Sequence, residues 1–158
     1  MYGEISISEI EILNAFSNLS STAQKECKDY LHYLLCKQYK RELMSAIFHN
    51  QLLDNMLKSL LHIVERDDFN TNLIENRLKQ INELYFGIFE KIHTKYSDLV
   101  DELDSSELVK DFGRNSFENI SRACMTGNHI LIRMEIVEFY ESYFKLGKKK
   151  DARKIVAV

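Results

Sequence analysis

Two short strings in this chain have the form a metal site would use, Glu90-x-x-His93 and Asp29-x-x-His32. A carboxylate and an imidazole three residues apart share one face of a helix. Bundles that hold two iron or manganese ions draw such a pair from each of two helices and a further Glu from each of the others. Glu65 and Glu135 are available as extra carboxylates, so a di-metal helical-bundle enzyme is one reading, with Glu90 and His93 as its candidate ligands. Two features weigh against it. His93 falls one residue off the apolar line of its own segment, and Asp29 is a shorter ligand than Glu. The same strings also describe ordinary surface or half-buried histidines, and the sequence calls for no cofactor and no metal.

Other reactive groups give less. Cys27, Cys36 and Cys124 form no C-x-x-C pair, which excludes a zinc ribbon and a dithiol redox motif. Isolated on apolar helix faces, they read as small core residues, and free thiols fit a reducing cytoplasm. Gly113 and Gly127 stand alone, so no phosphate-cradling loop is present, and neither G-x-S-x-G nor H-E-x-x-H occurs. No catalytic residue is assigned, and the chain is read as non-enzymatic. Lys148, Lys149, Lys150, Arg153 and Lys154 concentrate positive charge in a basic tail over 148–158. They are candidate phosphate contacts, but no aromatic is interleaved to stack on bases. With a net charge of -3 over the whole chain, nucleic-acid contact is expected to be weak and confined to that tail.

The elements that must position these groups read as helices throughout. There is no Pro and only 5 Gly in 158 residues, whereas sheets and long loops usually recruit both at their turns. Ser8 with Glu11 has the form of a capping box, and Ile7 can staple onto Ile12, which opens a short helix over 8–19. Ser21 with Gln24 opens a second, long helix over about 21–49. His49-Asn50 breaks it, and Leu53, Met56, Leu57, Leu60, Leu61 and Val64 then form a wide apolar face.

After the polar connection 65–70, Asn72 and Glu75 cap a long helix over about 72–103. Its apolar seam, Ile74, Leu78, Ile81, Tyr85, Ile88, Ile92, Tyr96 and Leu99, steps by three and four residues as a heptad does, with one stutter. Gly87 inside it is either a tolerated defect or a point of close approach. Asp104 with Glu107 and Asn115 with Glu118 predict two short helices with Gly113 between them. Thr126-Gly127-Asn128 predicts a turn, and a last helix over 129–146 carries Ile132, Ile136, Tyr140 and Tyr143 and stops at Gly147.

The fold class is therefore all-α, an irregular helical bundle in a single domain over 1–158, with ordinary globular composition at 45% hydrophobic and 28% charged residues. No apolar run approaches the roughly 18 residues that cross a bilayer. The first residues lack the basic and apolar regions of a signal peptide, so the expected location is the cytoplasm, away from membranes.

Residues 6–42 carry Glu9-Ile10-Glu11-Ile12-Leu13, then Leu19-Ser20, Gln24 and Tyr30-Leu31-His32-Tyr33-Leu34-Leu35. This stretch resembles the segment that follows the helix-turn-helix in XRE-family (phage-repressor-like) regulators. The resemblance covers under a quarter of the chain and implies a dimerising or sensing module without its DNA-reading part.

The leading expectation is a helical protein-interaction or dimerisation module in bacterial or phage gene regulation. It would self-associate as a homodimer through the 72–103 seam or bind a regulatory protein partner. The alternative is a ligand-sensing domain with an apolar pocket between the 53–64 helix and the last helix.

Overall fold

The computed structural model describes residues 6–99 and 107–156, with side chains described for 6–99 and 108–148. All the regular structure among them is helical: α1 Ile7–Ser17, α2 Ser21–Phe48, α3 Gln51–Val64, α4 Thr71–Ser97, α5 Glu107–Thr126 and α6 His129–Val156. The all-α class holds. The chain divides into two units, Met1–Gln38 and Tyr39–Val158. Among the described residues, no helix is long and apolar enough to cross a membrane.

Local signals start the helices, often two residues from where the pattern suggests. Ser6, not Ser8, caps α1: its Oγ accepts from the Glu9 N–H at 3.2 Å while Glu9 returns a bond to the Ser6 N–H at 2.5 Å. The string Ser6-Ile7-Ser8-Glu9-Ile10-Glu11 holds the capping pattern twice, and the earlier copy adds a half-turn of helix. Ile7 therefore lies within α1 rather than stapling it from outside. Ser20 accepts from the Ala23 N–H at the start of α2. Asn50 accepts from the Leu53 N–H at the start of α3, so the break at His49-Asn50 falls as expected. Asn70 rather than Asn72 caps α4.

In the second unit α3, α4, α5 and α6 pack each against its neighbours in sequence, and α3 also meets α6, which closes a four-helix ring. Short connections make sequential helices antiparallel. The start of α3, the end of α4, the start of α5 and the end of α6 thus share one end of the bundle. The last ten residues of α2 plug that end. Tyr39, Leu43, Ile47 and Phe48 are buried; the Tyr39 ring meets Tyr96 at 5.5 Å, and Phe48 meets Phe112 and Tyr143. A run of rings continues through Tyr85, Phe86, Phe117 and Phe139, with centroids 5.2 to 6.0 Å apart. Their hydroxyls are satisfied: Tyr85 donates to the Val109 carbonyl at 2.5 Å. Tyr143 donates at 2.6 Å to the Ile47 carbonyl, one of those left over where α2 ends.

Two glycines behave differently from expectation. α5 is one helix and not two, and Gly113 lies within it against Tyr85, where an added Cβ would fall 2.3 Å from the ring. Asp104 lies outside the described residues. α6 likewise runs through Gly147 to Val156 instead of stopping there. Gly147 sits against the end of α2, with a would-be Cβ 3.0 Å from the Phe48 carbonyl. In both places close helix packing, and not chain reversal, requires the missing side chain. The turn at Gly127 is as expected, with φ +68°, a value that favours glycine.

Candidate functional site

The α4 seam is already in use. Ile74, Leu78, Ile81, Tyr85, Ile92 and Tyr96 are buried within the chain's own second unit. Ile88 is half-buried and Phe89 takes the buried place beside it, while Leu99 lies exposed beyond the helix end. An interface built from this seam is therefore corrected to an internal core. The described helix ends at Ser97, and residues 100–103 fall outside the described residues. Periodicity reports that a face is covered, not by what.

Glu90 is exposed, and His93 is half-buried against aromatic neighbours. The His93 Nδ1 lies 3.2 Å from the Tyr39 hydroxyl, and its ring stacks on Phe89 with centroids 5.8 Å apart. Asp29 and His32 are exposed, with His32 Nε2 3.6 Å from Cys36 Sγ one turn on. Glu65 pairs with His62 at 3.3 Å. Among the described residues no three His, Cys, Asp or Glu side chains converge as a metal-holding group, so the two strings are not brought together. Cys124 is buried, and burial pushes its thiol up to about 11, away from nucleophilic use. Lys148 is exposed. Lys149, Lys150, Arg153 and Lys154 lie on the helical end of α6, their side chains outside the described ones.

Two of the clefts in the second unit bear on ligand binding. A cleft of about 720 Å³ runs between α4 and α5. Leu78, Phe86, Phe117 and Met125 form its apolar part, and Glu75, Lys79, Arg114, Glu118 and Arg122 surround it. Arg122 leans on Glu118 at 3.6 Å. A smaller cleft of about 360 Å³ lies where the expected sensing pocket would be, between the start of α3 and the end of α6. His49, Asn50, Gln51, Asp54 and Lys148 make its lining polar at one side, unlike the apolar pocket anticipated there.

The first unit, though much the shorter, exposes as many large apolar side chains as the second, nine each among the described residues. α1 is eleven residues long, six of them apolar and spread around the helix, yet none is buried. A helix apolar on nearly all sides is normally a core element. Here Ile7, Ile10, Ile12 and Leu13 are exposed by 46 to 78%. Leu19 is exposed in the connection to α2. Tyr30, Leu31, Tyr33 and Leu34 are exposed along α2, the two tyrosine rings stacked at 6.3 Å. Contacts between the two helices gather at their connection: Gln24 Nε2 donates to the Phe16 carbonyl at 2.9 Å, and the Lys28 ammonium lies 5.8 Å over the Phe16 ring. At helical spacing, Tyr30, Leu31 and Leu34 share one arc of α2 with the half-buried Cys27, while Lys25, Lys28, Glu26 and Asp29 occupy the other. The sequence pattern held this signal in α1, whose apolar residues exceed what one neighbouring helix can cover.

No protein-family model, no curated protein and no solved structure matches this chain.

Proposed function

We propose that this chain is a non-enzymatic helical protein-interaction module, in which α1 and the stretch of α2 up to Gln38 are the binding surface. One observation carries the reading: nine large apolar side chains of the first unit are exposed, and α1 buries none of its own. Exposed apolar patches of this kind mark association sites. The stacked Tyr30 and Tyr33 add a residue type enriched in interfaces. The resemblance of residues 6–42 to the segment after the helix-turn-helix in XRE-family regulators falls on the same stretch. It supports bacterial or phage gene regulation as the process, with a regulatory protein as one class of partner. The free thiols are in keeping with action in a reducing cytoplasm. Contact with nucleic acid is assigned to the basic end of α6 alone.

The test is native mass spectrometry of tagged full-length chain purified gently from its source cells, wild type beside Ile10→Glu. The wild type emerges in an assembly larger than one chain, and Ile10→Glu emerges alone. A wild-type chain that is always single overturns the reading.

A second reading, ligand sensing, draws support from the cleft between α4 and α5. Its volume of about 720 Å³ lies within the range of small-molecule sites, about 300 to 1,000 Å³. An apolar molecule retained in native mass spectra and lost on Phe117→Ala would favour it.

A further inference from the structure

His32 and Cys36 stand one turn apart on α2, and the fold brings their reactive atoms together. His32 Nε2 lies 3.6 Å from Cys36 Sγ, with His32 exposed and Cys36 half-buried. The sequence pattern pairs His32 with Asp29 and reads Cys36 as a core residue, whereas the neighbour His32 meets is the thiol. We propose that this pair is a binding site for a zinc ion, held by Cys36 Sγ and His32 Nε2 and completed by water. The site goes beyond the interaction reading and does not depend on it.

The separation of the two atoms carries the argument. Tetrahedral zinc takes a thiolate at about 2.3 Å and an imidazole nitrogen at about 2.0 to 2.1 Å. Two such bonds at the tetrahedral angle set sulfur and nitrogen about 3.5 to 3.6 Å apart. That spacing is already present, so an ion can bridge the pair with the α2 backbone as it stands.

The donor types select the ion. A thiolate with an imidazole favours zinc and its softer neighbours over calcium and magnesium, which seek oxygen. Residues four apart on a helix share one face, so local structure alone holds the two ligands as a pair. Asp29 is exposed one turn before His32 on that face. A carboxylate there can accept from the other ring nitrogen, as the partners of zinc-bound imidazoles do. Among the described residues no third His, Cys, Asp or Glu closes on the pair, and the remaining positions fall to water. As the sulfur–zinc bond forms, the Cys36 proton leaves to solvent. Cys27 lies nine residues before Cys36, about two and a half turns, and so on the opposite side of α2. Cys124 is buried in the second unit. Neither can share the ion.

The experiment titrates cobalt(II), a spectroscopic substitute for zinc, into the reduced, metal-free full chain. Wild type should develop a thiolate-to-cobalt charge-transfer band in the near ultraviolet and the strong visible bands of four-coordinate cobalt. They should saturate at one ion per chain with a dissociation constant of about 1 to 100 µM, weaker than sites with four protein ligands. Zinc should bleach both. Cys36→Ser should lose the charge-transfer band, and His32→Ala should bind at least ~10-fold more weakly. Cys27→Ser and Cys124→Ser should titrate as wild type does. Neither ligand is buried, so the helical spectra of Cys36→Ser and His32→Ala should match that of wild type. A second readout needs no variant: zinc should slow alkylation of Cys36 by iodoacetamide, mapped by mass spectrometry, and leave Cys27 unaffected.

No charge-transfer band at about 1 mM cobalt would reduce the contact to a thiol–imidazole hydrogen bond and overturn the site. A band that survives Cys36→Ser, unchanged affinity in His32→Ala, or zinc protection that falls on Cys27 overturns it as well.

Discussion

Tyr85 and Gly113 illustrate how single residues set the spacing of the second unit. The phenol is buried, its hydroxyl held by the Val109 carbonyl, and burial drives its acidity well below that of a free tyrosine. The ring occupies the space a side chain at position 113 would need. Gly113→Ala is therefore expected to lower stability by about 1 to 3 kcal/mol, the usual effect of overpacking. Gly87 is a contrasting case, with open space around its would-be Cβ. Gly87→Ala should raise stability by about 1 kcal/mol through helix propensity alone. Urea unfolding midpoints of the two variants would move in opposite directions. Glu42 offers a pH signature. The Tyr96 hydroxyl and then the Lys95 ammonium, at 2.9 Å, hold its carboxyl below the usual value of 4.5. A lowered carboxylate stabilises the fold above the unfolded-state value, and the gain fades as pH falls through the folded value. Glu42→Gln should thus be less stable than wild type at pH 7, with the gap closing below about pH 4.5. A gap that is constant from pH 7 to pH 3 would show that this cluster does not act through charge.

At the level of helices, α4 is the clearest case of a pattern read correctly and assigned to the wrong neighbour. Ile74, Leu78, Ile81, Tyr85, Ile92 and Tyr96 follow the three-four rhythm of the sequence and are buried, but by α3, α5 and the end of α2. Ile81→Ala should cost about 2 to 5 kcal/mol, as removing a buried isoleucine does. Ile88→Ala, half-buried, should cost less, and thermal melts followed by circular dichroism would rank them. A folded, associating Ile81→Glu protein would reopen the interface reading of this seam. Helix starts were legible within two residues because Ser and Asn caps are local chemistry. The join of α5 and the run of α6 through Gly147 were not, since a glycine's helix penalty is offset only by a tertiary approach that the local sequence does not reveal. The same limit hid the contacts of Arg133. From α6 it donates to the Val64 carbonyl at 2.6 Å, the Arg66 carbonyl and the Asp67 carboxylate, and so closes the exposed end of α3.

The molecule as a whole divides its apolar residues between two uses. In the second unit most of them fill a core of four helices and a plug; in the first none is fully buried and most face outward. Metal chemistry looked conceivable from two spaced pairs, but their partners lie apart in the fold, since spacing fixes a helix face and not the helices opposite. The outward surface of α1 went unrecognised because a short apolar helix looks the same in sequence whether it ends in a core or on a partner. An eleven-residue helix with no buried side chain is marginal by itself, and binding should stabilise it by mass action. Hydrogen–deuterium exchange of the gently purified assembly beside the isolated chain tests this most directly. The account predicts slower exchange in the assembly in α1 and in residues 21–38, with α3 to α6 unchanged. Exchange that is the same in both throughout, or protection gained only along α4, would contradict it.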